Sequence, residues 1–467
     1  ADVALKRLPP RTEKEIILVD IWKQVLNLDD VGIRDNFFEM GGDSILSIQI
    51  ISRAKLAGLH LTTKQIFENQ TIEELALVAS EVESPILAEQ GAVTGDVLLS
   101  PIQHWFFDHD FEAEQHWNQS VLLDIKPGRL ISEPQLQTAL AALISQHDAL
   151  RSRFVRAHES VRQYLADPEP AHQHYLLDTV VMDSYDPASD AGLLTEQCNR
   201  IQASLNLQQG PLVAAGLFQL GKGGYKLLLV LHHLVVDGVS WRVLIEDFNK
   251  ALEQAANGGP VALGYKTTAY QQWVAALQES VELGHFNAEI DYWEQVIERD
   301  KPVIPLDNAA VPHQVADSVI HSERLSASLT QSLLRDVHHA FRTEINDLLL
   351  SALARVISDW SGNAEIYLEL EGHGRESFSE KIDLSRTVGW FTSVYPVRLK
   401  YENGQSLQDN LKSVKEQLRR IPNKGFGYGA LRYLGQPRQN RLLRQAPRAD
   451  IVFNYLGQFD ALLENNP

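Results

Sequence analysis

Cysteine is nearly absent: Cys198 is the only one in 467 residues. No intrachain disulfide can form, so nothing points to an oxidising compartment. A lone thiol reads as a small buried or half-buried side chain rather than a nucleophile. Long apolar runs are missing too. The best stretch, Leu227 to Val236, is too short to span a bilayer and is interrupted by two histidines. No cationic-then-apolar signal segment opens the chain. A cytoplasmic protein with no membrane partner is the expectation. Basic charge is in deficit, with 42 Lys and Arg against 61 Asp and Glu and a formal charge of −19. Gripping a phosphate backbone needs a basic surface, which argues against a nucleic-acid binder. The chain opens on Ala1 and not Met, and Lys6-Arg7-Leu8-Pro9-Pro10 reads as linker, so a section of a longer polypeptide is expected.

What is present falls into a small and a large part. Thr12 to Asn27 has helical spacing, with Ile16, Val19, Trp22 or Lys23, and Leu26 on one side. A second helix is expected from Ser44, with Ile45, Ile48, Ile51 and Leu56 as its stripe. Thr71 with Glu74 forms a capping box for a last helix, Ile72 to about Val82. Residues 84–95 carry Pro85, Gly91 and Gly95 without periodicity and read as a linker. Ser100-Pro101-Ile102-Gln103 then starts a helix. The remaining chain alternates strand-like and helix-like segments. Tyr225–Leu231, Ile366–Leu370, Tyr395–Leu399 and Ile451–Tyr455 read as strands. Leu136–Ser145, Trp241–Glu253, Tyr270–Glu279, Ser326–His339 and Ile345–Trp360 read as helices. So long an alternating stretch implies two lobes.

Gly41-Gly42-Asp43-Ser44-Ile45 puts a serine on a turn at a helix start. Free N–H groups and the helix dipole favour a phosphodiester there, although Gly-Gly-Asp-Ser alone reads equally as a serine cap. In full, Asp35-Asn36-Phe37-Phe38-Glu39-Met40-Gly41-Gly42-Asp43-Ser44 resembles the carrier-protein signature of nonribosomal peptide synthetases. The resemblance implies 4′-phosphopantetheine on Ser44, placed there by a phosphopantetheinyl transferase. In that family an aspartate before the serine, here Asp43, marks carriers that feed an epimerization domain.

His232-His233-Leu234-Val235-Val236-Asp237-Gly238 follows a buried strand. A strand end is a rigid support for an imidazole, and histidine trades protons near neutral pH. One or both rings could equally be hydrogen-bonded core residues. The string is similar to the HHxxxDG motif of the condensation-domain superfamily. Its members have two lobes, each like a chloramphenicol acetyltransferase subunit, with the histidines in a tunnel between. The resemblance implies a catalytic His233. It implies structural roles for His232 and Asp237, with Arg386 or Arg151 as the aspartate's partner.

Further strings resemble epimerization domains in particular, in the family's order. They include Pro101 to Phe106, Trp117-Asn118-Gln119-Ser120, Glu371-Gly372-His373-Gly374-Arg375-Glu376, Arg386 to Thr392, Pro422 to Gly429 and Phe453 to Gly457. Glu371 ends a strand-like run before a glycine-flanked turn. By itself it reads as a solvated charge or an arginine partner. The resemblance sets it opposite His233, keeps Glu376 structural, and lines the tunnel with Asn454 and Tyr455. Gly425, Gly427 and Gly429 follow no strand of a βαβ unit, so they are read as a close-packed or mobile loop and not a dinucleotide site.

The expectation is therefore an α+β chain. Residues 1–10 are linker from an upstream domain, 11–83 a small helical carrier, 84–95 linker, and 96–467 an epimerization domain of two acetyltransferase-like sandwiches, with lobes at about 96–270 and 271–467. The activity implied is L-to-D inversion at Cα of a carrier-bound aminoacyl or peptidyl thioester, an isomerase reaction in peptide antibiotic synthesis. It needs no pyridoxal phosphate and no metal, and the histidines lack further ligands at zinc-site spacing. An upstream adenylation domain and a downstream condensation domain are the implied partners. The rivals are an amide-forming condensation domain, a non-catalytic scaffold and a free amino-acid racemase. A basic island at Arg432, Arg438, Arg441, Arg444 and Arg448 is the candidate dock for the carrier, whose residues 11–83 hold 7 basic against 13 acidic side chains.

Overall fold

Thr12, Asp43, Thr62 and Thr71 cap four helices at the start of the chain: α1 (Glu13–Leu26), α2 (Ser44–Leu56), α3 (Thr63–Glu68) and α4 (Ile72–Val78). The computed structural model describes residues 7–457 apart from 82–87, 127–130, 159, 183–184, 187–188, 222–223, 299, 308–313, 338–342, 380 and 437–439. In α1 the buried line is Leu18, Val19, Ile21, Trp22, Val25 and Leu26, while Ile16 is half exposed. The expected stripe is thus rotated by part of a turn. Trp22 and Phe37 centre this bundle's core. Helix α4 stops at Val78 and not near Val82, because Ala79 turns extended and the chain pairs as β2 (Ser80–Glu81) with β1 (Leu59–His60). The linker's described end lies along the large part: Lys266 N donates to Gln90 Oε1 and Val93 N to Asp148 Oδ1.

The large part begins with β3 (Gly95–Val97) and α5 (Pro101–Asp108), whose Ser100–Gln103 capping box is closed in both directions. Then come β4 (Asn118–Ile125), α6 (Glu133–Gln146), β5 (Ser152–Ala157), β6 (Ser160–Leu165), β7 (Leu176–Met182), α7 (Ala191–Gln202), β8 (Val213–Leu220), β9 (Gly224–His232) and α8 (Gly238–Ala256). One sheet runs β4-β9-β8-β7, with β9 antiparallel to both neighbours. Helices α6 and α8 share a core with this sheet, and α7 packs with Phe218, Leu228 and Val230 in a separate cluster. Strand β9 is covered on both sides, so Leu227–His232 is buried without a break. That is why the sequence shows a continuous apolar run and not an alternation.

The second half contains α9 (Tyr270–Glu282), α10 (Ile290–Ile297), the helix Ile345–Ser361, β10 (Glu365–Gly372), β11 (Ser393–Lys400), the helix Leu407–Arg419 and β12 (Val452–Phe453). Its sheet runs β11-β10-β12, with β12 parallel to β10. The expected helix at 326–339 is a short helix, Ala327–Gln331, running into a π turn, Ser332–Asp336; residues 338 and 339 lie outside the described residues. The two halves trade core residues. Val97 and Leu165 of the β3-β6-β5 sheet sit in the second core, and Val388 and Trp390 sit in the first.

Candidate active site

Strand β9 ends at His232, a ring with no solvent exposure. Its Nε2–H donates to Glu114 O at 2.8 Å, and its Nδ1 accepts from Leu234 N at 3.2 Å. Both ring positions are spent on backbone, and burial, then His233 and His116, pushes its pKa down to about 3. His233 opens a 3₁₀ turn. Its Nδ1 lies 2.8 Å from Val236 O, its Nε2 lies 2.8 Å from Gln119 Nε2, and the Trp390 ring covers it at 4.3 Å. Burial holds its pKa below the usual value, against its backbone hydrogen bonds and the nearby Asp237.

Asp237 caps α8 through Ser240 N and also accepts Phe391 N at 3.0 Å. Its cation is Arg375 Nη2 at 3.3 Å, and not Arg386 or Arg151. Arg386 binds Glu246 and Asp247, and Arg151 binds Asp148. Asp237 follows His233 by four positions and Arg375 follows Glu371 by four, so the ion pair ties the two candidate loops together. Arg375 also donates to Ser240 Oγ, Leu384 O and Thr387 O and lies over the Phe391 ring.

Glu371 is the penultimate residue of β10, opposite Val394 of β11. Asn454 Nδ2, just past β12, donates to its Oε2 at 2.7 Å. The parallel pairing of β10 with β12 is what brings Asn454 there. Burial, and then Glu369 two residues back, pushes the Glu371 pKa up to about 7. Glu376 lies 3.2 Å from His373. Tyr455 lies within reach of the charges of Asp43 and Arg242, and burial followed by Asp43 raises its pKa to about 12.

The helical bundle sits against this face. Asp43, and not Ser44, caps α2, taking Ile45 N and Leu46 N on one oxygen, so the Ser44 hydroxyl is not the cap. A Cβ added to Gly457 would lie 3.2 Å from Asp43 Oδ2 and 3.3 Å from Ile45 Cδ1 and Arg242 Nη2. The turn bearing Ser44 therefore lies against Gly457, which follows Asn454 by three positions in the chain. Arg53 reaches Glu246 at 3.3 Å, Lys55 pairs with Asp383, and the Lys424 ammonium lies 3.4 Å from the Phe67 ring centre. Lys424 and Asn423 are held at positive φ in the loop that presents this contact. Within the basic island, Arg432 binds Tyr428, Arg444 binds Gly435 O and Arg448 binds Asp108 O, all in the large part, while Arg438 lies outside the described residues. The polarity is partly reversed, with bundle cations on acids of the large part. Gln119, Trp241, Arg375 and Arg242 were not marked individually by the sequence; Gln119 and Arg375 stood only inside longer motifs.

The pattern described as "Condensation domain" matches residues 93–466, and that described as "Phosphopantetheine attachment site" matches residues 17–78. The chain is 40% identical over 454 residues to surfactin synthase subunit 1 of Bacillus subtilis (strain 168), covering 97% of this chain and 12% of that protein. It is 39% identical over 458 residues to tyrocidine synthase 2 of Brevibacillus parabrevis, again covering 97% and 12%. The chain thus spans a small fraction of the length of these relatives. Among solved structures it is similar to the epimerization domain from the third module of tyrocidine synthetase B, with a TM-score of 0.73, 38% identity, and 79% of this chain and 81% of that chain covered. The first condensation domain of the calcium-dependent antibiotic synthetase shares the fold, with a TM-score of 0.61 at 19% identity and 79% and 83% covered.

Proposed function

This chain belongs to the condensation-domain family, with a phosphopantetheine attachment domain ahead of it, and we propose that it is an epimerase acting on an aminoacyl or peptidyl group tethered to that domain. The observation that carries the proposal is a pair of oppositely tuned groups on tied loops. Glu371 has its carboxyl pushed up to about 7, and burial holds the His233 pKa below its usual value. The 38% identity to an epimerization domain agrees. The proposed limits are those expected from the sequence, 11–83 for the carrier and 96–467 for the epimerase.

Ser44 fits the attachment role. It is the first residue of α2, partly exposed, relieved of capping by Asp43, and beside the junction with Gly457. Phosphopantetheine supplies a thioester, whose α-proton is more acidic than that of an amide. The chain's own residues do the rest. One of His233 Nε2 and Glu371 takes the α-proton from one face, and the other returns a proton to the opposite face. Near neutral pH Glu371 is present in both forms, so it serves either direction. Asn454 fixes its carboxylate, and Asp237 with Arg375 fixes the spacing of the loops. Adenylation upstream and condensation downstream would supply and consume the substrate.

The test is deuterium wash-in at Cα of an L-aminoacyl group loaded on Ser44, with no second carrier present. Exchange with loss of chirality is expected. His233→Ala and Glu371→Ala should each slow it by about two decades or more. A condensation domain would leave Cα unexchanged and form an amide only when an acceptor carrier is offered.

A further inference from the structure

Trp117-Asn118-Gln119-Ser120 opens β4 against the end of β9, where Asn118 is the register partner of His232 and Gln119 that of Leu231. This sets Gln119 beside His233. Three hydrogen bonds then fix one another's direction. Trp241 Nε1, on α8, can only donate, so the Gln119 atom 2.8 Å from it is the carbonyl Oε1. The amide nitrogen therefore faces His233 Nε2 at 2.8 Å, and it too can only donate. Nε2 must then carry the lone pair, and the ring proton sits on Nδ1, donated to Val236 O at 2.8 Å. That carbonyl can only accept, so the chain closes without a free choice.

We propose that Gln119 is the positioning residue for His233. With Trp241 it sets the imidazole as the neutral Nδ1–H tautomer, and its own N–H occupies the lone pair that the substrate's α-proton must use. Substrate entry therefore has to displace the amide. Until it does, the base is correctly oriented but covered. This inference rests on the reading of His233 as the group that exchanges a proton with Cα. Charged and titratable groups near the ring include His232 on β9, Asp237 on the same loop, and Arg375, which reaches Asp237 from the loop after β10, with Glu371 assigned to the opposite face of the substrate. The other face of the ring is closed by Trp390, which carries no charge.

Gln119→Glu is the discriminating change. A carboxylate accepts from Trp241 as before but also demands a proton on Nε2. Because Nδ1–H is already committed to Val236 O, both nitrogens then donate and the ring becomes imidazolium. Gln119→Met keeps the length of the side chain and removes both hydrogen bonds.

The experiment is nitrogen NMR of the full phosphopantetheinylated chain carrying labelled histidine, with His233→Asn to assign the resonance, alongside α-proton exchange across pH. In the wild type His233 should show protonated Nδ1 and bare Nε2 near neutral pH. In Gln119→Glu both nitrogens should be protonated there, with the midpoint raised by about one unit or more. Exchange should fall about tenfold near neutral pH and recover as pH rises, a shift that a purely structural role would not give. In Gln119→Met the Nε2–H form should appear beside the Nδ1–H form. A wild-type ring protonated at Nε2, or a Gln119→Glu midpoint equal to the wild type's, overturns the proposal. The ring's protonation is read without turnover. Absence of exchange in the wild type would thus sink the epimerase reading and leave the tautomer result standing.

Discussion

Asp237 and Arg375 meet at 3.3 Å with both side chains almost fully buried, joining the turn after the paired histidines to the turn after Glu371. Arg375 also meets three further acceptors and one ring, so the pair is the centre of a network and not an isolated bridge. Taking away one partner strands a buried charge. Arg375→Leu should destabilise the large domain by about 3–5 kcal/mol in denaturant unfolding, and Asp237→Leu with Arg375→Leu by less than the two single costs together. A single substitution that costs under about 1 kcal/mol would mean that water already reaches the pair.

Stability should also depend on pH through Glu371. Its folded pKa, about 7, lies above the ordinary value of 4.5. The folded state therefore holds a proton that the unfolded chain has already released. This contribution is fully present below 4.5 and is lost as pH rises through about 7. Glu371→Gln keeps the neutral form throughout. Its unfolding free energy, compared with the wild type, should gain steadily between those two values and level off above them. A flat difference across that window would show that the carboxylate is well solvated.

Docking of the carrier should respond to charge at two contacts. Arg53 meets Glu246, which Arg386 holds from the other side, and Lys55 meets Asp383. Arg53→Glu with Lys55→Glu should slow single-turnover exchange several-fold, and added salt should slow the wild type in the same direction. Glu246→Arg placed opposite Arg53→Glu should recover part of the loss. An unchanged rate in the doubly reversed chain would mean that the reaction occurs from another docked arrangement.

Asp43 holds two jobs that separate experimentally. Its Oδ1 caps α2, and its Oδ2 is buried at the junction, close to Arg242. Asp43→Asn keeps the cap and drops the charge, whereas Asp43→Ala drops both. Carrier unfolding should shift by about 0.5–2 kcal/mol in Asp43→Ala and little in Asp43→Asn, while both should weaken docking. Equal stability losses in the two variants would put the effect in the charge and not in the cap.

Local chemistry was legible and tertiary partnership was not. Caps at Ser100 and Thr71 follow from residues three apart, so those helix starts could be read directly. The strand leading into His232 was legible because burial on both faces leaves an unbroken apolar run. Arg375 stood inside a longer motif, yet nothing local selects it over Arg386 as the partner of Asp237; only the crossing of two distant loops does. Carrier docking contacts were hidden for a related reason. Net charge describes a segment, whereas docking depends on which side chains face the junction, and there Arg53 and Lys55 of an acidic carrier find acids. Gln119 was hidden because one residue of β4 gains meaning only from Trp241 and His233 on either side.

The exchange of interior residues between the two halves has a practical outcome for anyone dividing the protein. Val97 and Leu165 complete the second core, and Val388 and Trp390 complete the first. A cut near residue 270 would hand each fragment an unfinished interior with greasy gaps. Separately produced fragments should be sticky and short-lived, and should regain order only when made together, as halves of a split reporter do.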